Sequence, residues 1–351
     1  MTDDKNSQLS LKNSILVNYS NNDSLRLDKL TMIVIIGAGP IGLACGIELQ
    51  KKDIPFVILE RNSIVDSIYR YPVNMTFFST SDRLELGGVP FISHGHKPTR
   101  SEALEYYRRV ALFFNLPIRL YEEVTEISGE VDKFLVKTNK TTYEASRIIV
   151  ATGFYGHPNL MNIPGENLEK VKHYYSEPHP YSWQKVAIIG AGNSAIDVAL
   201  ETFRVGAEVT LIIRDSKIKD SIKYWVRPDI ENRIKDGSIK AYFNSTPKSI
   251  QEHSITIQTP DGEKVIENDF VLAMTGYTPN YNLLDKLRIP SGNDEFKTPI
   301  YNDESYESGT RGIYIAGVVC GGKRTGKWFI ENAREHAVRI AEAISNETSV
   351  K

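Results

Sequence analysis

Two Rossmann-like three-layer α/β dinucleotide-binding domains, one inserted in the other, are the fold that this sequence of 351 residues predicts. Three observations predict it. The same glycine-rich turn occurs twice, as Ile35-Ile36-Gly37-Ala38-Gly39-Pro40-Ile41-Gly42 and as Ile188-Ile189-Gly190-Ala191-Gly192-Asn193-Ser194-Ala195. A β-branched run precedes each turn and a helical pattern follows it, which is the setting a dinucleotide fingerprint requires. A second duplication reads small-Thr-Gly-aromatic and closes on Pro-Asn, once from Ala151 to Asn159 and once from Met274 to Asn280.

The first unit combines a strand over 31–36, a helix over 40–51 and a strand over 56–60. Gly37 makes the tight turn, Gly39 lets backbone approach a pyrophosphate, and Gly42 lets the helix lie close to the strand. Pro40 opens the helix, whose free N–H groups and dipole attract the phosphates. Glu60 stands 23 residues past Gly37. A carboxylate there accepts from a ribose 2′-hydroxyl, so this site suits FAD.

The second unit has a strand over 185–190, a helix from about 193 to 204 that Gly206 stops, and a strand over 208–214. Here Gly190, Gly192, Asn193 and Ser194 form the turn, and Ala195 takes the place of the third glycine. Arg214 stands 24 residues past Gly190, with Lys217 and Lys219 close behind. Cations fit a 2′-phosphate that a carboxylate would repel, so this site suits NADPH. The bland alternative leaves Glu60 and Arg214 as solvated charges at strand ends.

The strands over 147–150 and 269–273 run into the duplicated Thr-Gly segments, whose glycines and prolines turn a chain out of a sheet. Read as crossings, they divide the chain into an FAD-binding domain of 31–155 plus 281–351 and an NADPH-binding domain of 156–280. Read as ordinary turns, they imply no such division. Residues 1–30, rich in Asn, Ser, Asp and Lys, form a polar N-terminal extension without a period. It reads as a tail or as the product of an upstream start codon, and carries no assigned function.

Composition sets the outer limits. A hydrophobic share of 41% and a charged share of 25% are ordinary for a globular enzyme. A net charge of −2 offers no global attraction to nucleic acid or anionic membrane. No apolar stretch reaches spanning length, residues 1–10 lack the apolar core of a signal peptide, and two cysteines make no secreted disulfide framework. The expected location is cytoplasmic.

The two turns, the paired Thr-Gly segments and the last strand Gly312-Ile313-Tyr314-Ile315-Ala316-Gly317 resemble two-dinucleotide flavoprotein disulfide reductases of thioredoxin-reductase size. Further segments sharpen the match: Asp66 to Pro72, Thr76 to Ser81, Leu84 to Gly87, Lys97 to Arg100, Glu102 to Arg108, Lys223-Tyr224-Trp225 and Phe329-Ile330-Glu331-Asn332. With these the chain is similar, over about 31–345, to the bacillithiol-disulfide reductase family. The resemblance implies an NADPH-dependent FAD oxidoreductase that reduces bacillithiol disulfide. Gly37, Gly39, Pro40, Gly42, Glu60 and Arg61 would hold the ADP half of FAD. Tyr69, Tyr71 and Phe77 would stack on the ring system or wall its pocket, and Thr152, Gly153, Gly317 and Val318 would complete the site. Gly190, Gly192, Asn193, Ser194, Arg214 and Lys219 would hold NADPH. A small-molecule disulfide, a bacilliredoxin-type protein and a second copy of the chain, as a homodimer, are the expected partners.

Three departures bear on the electron exit. His173 and Ser176 stand where thioredoxin-type reductases carry Cys-x-x-Cys, so no internal dithiol exists. Ile41 stands where many bacillithiol-disulfide reductases carry cysteine, and Val318 where flavoproteins usually carry aspartate after the last-strand glycine. Cys45 reads as a small core residue among Ala44 and Gly46. Cys320 has two readings: a redox thiol in surroundings that Lys323, Arg324 and Lys327 make electropositive, which favours thiolate, or a passive small residue. Tyr69, Tyr71, Phe77 and Phe78 are either a plug beneath a loop or a flavin wall with Asn74 and Ser79. His94, His96, His157, His173 and His179 show no metal-ligand spacing; His173 and His179 lie near a crossing, as acid–base groups or hinge residues.

Two rivals stand beside this reading. A flavin monooxygenase shares the Ala-Thr-Gly-Phe and Tyr-Pro segments, but Asn167 and Glu169 occupy the Phe and Gly places of its usual signature before His173. A non-catalytic flavin redox sensor would bind the same cofactors without turnover.

Overall fold

A computed structural model describes residues 32–349, so the polar extension over 1–30 lies outside the described residues. The chain begins with β1 (Ile33–Ile36), α1 (Pro40–Gln50), β2 (Phe56–Leu59), α2 (Asp66–Tyr69), α3 (Arg100–Phe113) and β3 (Ile118–Arg119). An antiparallel trio follows, β4 (Val124–Ser128), β5 (Phe134–Thr138) and β6 (Thr142–Ala145), and then β7 (Arg147–Val150). The middle of the chain holds β8 (Val171–Lys172), β9 (Lys185–Ile189), α4 (Asn193–Arg204), β10 (Glu208–Ile212), α5 (Arg227–Lys235) and β11 (Lys240–Tyr242). It continues through β12 (Thr246–Gln251), β13 (Ser254–Thr259), β14 (Gly262–Glu267) and β15 (Phe270–Ala273). The last elements are α6 (Tyr281–Lys286), β16 (Ile313–Ile315) and α7 (Ile330–Ser349).

Two parallel five-stranded sheets organise these elements, in the orders β16-β7-β1-β2-β3 and β11-β10-β9-β15-β8. Every residue of β1, β2 and β7 is buried, as expected of parallel strands covered on both faces. In the first sheet α1 and α7 cover one face while β4, β5 and β6 lie against the core of the other. In the second, α4 packs through Ile196, Val198, Ala199 and Leu200 on one face. Ile250, Ile255 and Ile257 of β12 and β13 pack on the opposite face with Ala187, Ile189 and Val271. All five strands of the first sheet come from residues flanking 156–280, and all five of the second from within it.

Local chemistry explains several boundaries. Thr99 accepts from the Glu102 N–H while the Glu102 carboxylate accepts from the Thr99 N–H, a reciprocal cap that starts α3. The segment Lys97 to Glu102, singled out on resemblance, is thus a helix start. The C-terminal helix begins at Ile330, where the Asn332 side chain accepts from the Phe329 N–H. No helix among the described residues is long and apolar enough to cross a membrane.

Candidate cofactor clefts

In the first sheet β1 leads through α1 to its neighbour β2, while β7, on its other side, leads into the segment over 151–159, and the carboxyl ends of these parallel strands share one edge. A cleft opens there. Four strand ends wall it: Gly37 to Ile41 after β1, Glu60 and Arg61 after β2, Ala151 to Gly156 after β7, and Ala316 to Val318 after β16. Two tight approaches shape the first turn. A Cβ on Gly37, whose φ is +108°, would stand 2.6 Å from the Ala151 carbonyl oxygen, and one on Gly42 would stand 1.9 Å from that of Gly37. Gly39, by contrast, faces open space, with nothing within 4 Å of where a Cβ would lie. That bare backbone is what a pyrophosphate needs to come close. Glu60 is held at the cleft edge by two N–H groups, from Ala38 and Asn62, each donating at 2.9 Å. Burial nevertheless pushes its carboxyl above the ordinary carboxylate value.

Most of the residues expected here line the cleft: Gly37, Gly39, Pro40, Glu60, Arg61, Tyr71, Thr152, Gly153, Gly317 and Val318. Three do not. Gly42 lies beneath the turn, where its role is to let α1 pass close. Tyr69 is 58% exposed, with the Arg100 guanidinium 5.3 Å from its ring, because α2 points it away from the cleft toward α3. Phe77 is buried in the core and meets Tyr71 edge-on at 6.3 Å, so it supports the wall without forming it.

The second fingerprint repeats the geometry. Gly190, at φ +131°, would bring a Cβ to 2.5 Å from the Met274 carbonyl oxygen, and Gly192 faces open space. Arg214 and Lys219 are exposed beyond β10, and the Arg214 guanidinium has Asp215 at 3.7 Å. Ser194 is exposed at the helix start. The Asn193 side chain is committed differently from the expectation: it accepts from the Lys223 N–H at 2.9 Å and donates to the Ser221 carbonyl at 3.2 Å. It therefore fixes the loop that carries Tyr224 and Trp225.

The two Thr-Gly segments run side by side. Pro158 pairs antiparallel with Tyr277, the Asn159 N–H donates to Gly276 and the Thr278 N–H to His157, both at 2.9 Å. Tyr155 packs on Tyr277 at 4.3 Å and on Tyr71 at 4.9 Å, so the cleft wall and the paired segments share one aromatic cluster. Farther out, Phe78 stacks on Trp225 at 5.6 Å and the Lys97 ammonium lies over both rings.

Of the two readings of Cys320, burial favours the passive small residue over the redox thiol. Cys320 and Cys45 are fully buried, at 0% and 1% exposure. Burial pushes the Cys45 thiol up to about 12. It drives Cys320 above its ordinary value too, outweighing the pull of Lys327, while Lys323 and Arg324 point to solvent.

His336, which no motif marked, emerges only from the packing. Its buried Nδ1 accepts the Gly317 N–H at 3.1 Å, and burial holds its imidazole down to about 4. The unfolded chain takes up this proton near pH 6.5, whereas the folded one resists to about 4. Its titration therefore adds no cost above pH 6.5 and destabilises the fold progressively as pH falls toward 4, by up to about 3 kcal/mol. Denaturant melts between pH 7 and 4.5 should show this decline, and His336→Asn should flatten it.

A family model described as pyridine nucleotide-disulphide oxidoreductase matches residues 34–317. The chain is 40% identical to the bacilliredoxin reductase of Bacillus subtilis (strain 168), over 89% of its own length and 97% of the relative's. Among solved structures, it is similar to the bacillithiol disulfide reductase of Bacillus cereus, with a TM-score of 0.88 and 40% identity over 90% of this chain and 99% of the other. The Staphylococcus aureus bacillithiol disulfide reductase gives a TM-score of 0.87 and 40% identity over 90% and 98%.

Proposed function

The chain belongs to the pyridine nucleotide-disulphide oxidoreductase family, and from that premise we propose that it carries FAD in the first cleft and takes NADPH at the second fingerprint to reduce bacillithiol disulfide. The observation that carries this reading is the pairing, in one chain, of two phosphate-cradling turns at the strand ends of two parallel sheets. The residues present fit both groups. Gly39 and Gly192 leave backbone bare where pyrophosphates would lie, Glu60 offers a carboxylate to an unphosphorylated ribose, and Arg214 offers a guanidinium to a phosphorylated one. We divide the chain accordingly, with 31–155 plus 281–351 holding the flavin and 156–280 the nicotinamide cofactor.

A bound flavin would supply the two-electron relay between nicotinamide and disulfide. The protein's part is to hold both groups and to keep water from the wall formed by Tyr71, Phe154 and Tyr155. It has no thiol to lend. With both cysteines buried and their thiols shifted upward, the substrate disulfide has to enter the flavin cleft itself. A disulfide reagent should accordingly titrate no thiol in the native protein and both after denaturation. The double variant Cys45→Ala/Cys320→Ala should keep disulfide reduction within about twofold; a loss of activity in folded variant protein would restore a cysteine to the mechanism.

Anaerobic reduction by NADPH, followed by reoxidation with bacillithiol disulfide, glutathione disulfide, quinones or oxygen, tests the function. The flavin should bleach with NADPH and recover fastest with bacillithiol disulfide. Recovery only with oxygen and an organic substrate would instead mark a monooxygenase, and a reducible flavin that no acceptor reoxidises would mark a sensor.

A further inference from the structure

His336 sits on α7 with its ring fully buried between three neighbours. One face stacks on Tyr306 at 4.0 Å between ring centroids, Trp328 meets the ring nearly perpendicular at 4.4 Å, and Cys320 Sγ lies 3.7 Å from Nδ1. Because Nδ1 accepts from the Gly317 N–H, the neutral ring carries its proton on Nε2. That Nε2 is buried and has no partner among the described residues. A buried donor left unpaired is costly, so packing alone would favour an apolar ring at this position. The imidazole must therefore earn its place through Nδ1.

What Nδ1 holds is a cleft-lining backbone. Gly317, at φ +82°, makes the turn between β16 and the segment leading to α7, and with Val318 it lines the first cleft opposite Ile41. Phe329 and Ile330, directly after Trp328, line the same cleft. Both wall segments thus meet on one ring. We infer that His336 is a positioning residue for the flavin: it pins the Gly317 amide through Nδ1 and braces Trp328, setting the spacing between the Gly317–Val318 turn and the Phe329–Ile330 segment. This rests on the reading of the first cleft as the flavin site.

Three variants separate that role from mere volume filling. Asn places its carbonyl oxygen near the position of Nδ1, Gln places its own near Nε2, and Phe keeps a ring without an acceptor. His336→Asn should retain FAD affinity within about twofold and keep the parental visible flavin spectrum. His336→Phe and His336→Gln should bind FAD about tenfold more weakly, with a shifted spectrum. Equal or better binding by the Phe variant would show that the ring only fills space, and would overturn the inference. Should the Phe variant not fold, the Asn and Gln variants decide alone, and identical affinities and spectra would overturn it as well. Amide exchange at Gly317, measured before FAD is added, gives a second readout: slow in the parent and in Asn, fast in Gln. If the parent itself takes up no FAD, the reading of the cleft fails, while equal Gly317 exchange in all variants specifically refutes the His336 contact.

Discussion

Gly42→Ala is expected to yield protein that takes up little or no FAD and melts well below the parent. Helix propensity points the other way, since alanine in α1 should gain up to about 1 kcal/mol over glycine. Packing decides the sign. The added methyl would stand 1.9 Å from the Gly37 carbonyl oxygen, a backbone atom that cannot rotate aside. Gly37, at φ +108°, has no room even for a Cβ beside the Ala151 carbonyl, so a shift of its backbone would be felt at the end of β7 and in the cleft wall. Overpacking of this kind costs about 1–3 kcal/mol or more in a tightly packed site. Flavin absorbance per protein after reconstitution, together with a thermal melt, measures both effects. Gly39→Ala is the control: nothing lies within 4 Å of its Cβ position, so it should fold like the parent and weaken only the approach of the cofactor. Parental stability and stoichiometric flavin in Gly42→Ala would refute the close-approach argument.

For Arg214→Ala, the KM for NADPH should rise about 10- to 100-fold while NADH use stays nearly constant. A charge-assisted contact to a phosphate is worth about 1.5–3 kcal/mol, and NADH has no 2′-phosphate to lose it. The side chain is 80% exposed, and the carboxylate of Asp215 stands 3.7 Å from its guanidinium. Exposed pairs of that kind contribute about 0–1 kcal/mol, so little holds the side chain away from an incoming phosphate. Arg214→Lys should keep part of the preference, because an ammonium supplies charge without the bidentate fork. The ratio of kcat/KM for NADPH and NADH is the measurement, and an unchanged ratio in Arg214→Ala would remove this residue from the cofactor site.

The elements legible in the sequence were those that local pattern defines. The glycine turns, the β-branched runs around 33–36, 147–150, 185–189 and 270–273, and the helix stop at Gly206 all lie where periodicity and backbone permissiveness place them. The cleft walls that follow directly from a strand end, such as Glu60 and Thr152, were legible for the same reason. The misplacements concern side chains whose direction depends on a neighbouring element. Tyr69 turns toward Arg100 because α2 packs on α3, Phe77 is drawn into the core, and Asn193 is engaged by the distant loop at Ser221–Lys223. Cys320 shows the same limit: its basic neighbours in sequence face solvent while its thiol faces α7.

By itself, then, the chain of residues determined two glycine-rich turns, the parallel sheets that carry them and the opposite charges of Glu60 and Arg214 that follow them. These are properties of short segments, governed by steric freedom at glycine and by alternating or continuous hydrophobicity. Only the tertiary structure decided which side chains reach the cleft, that both thiols are buried, and that the His336 ring accepts from the Gly317 N–H. Those outcomes depend on burial and on contacts between residues far apart in the chain, where desolvation and packing outweigh local charge and spacing.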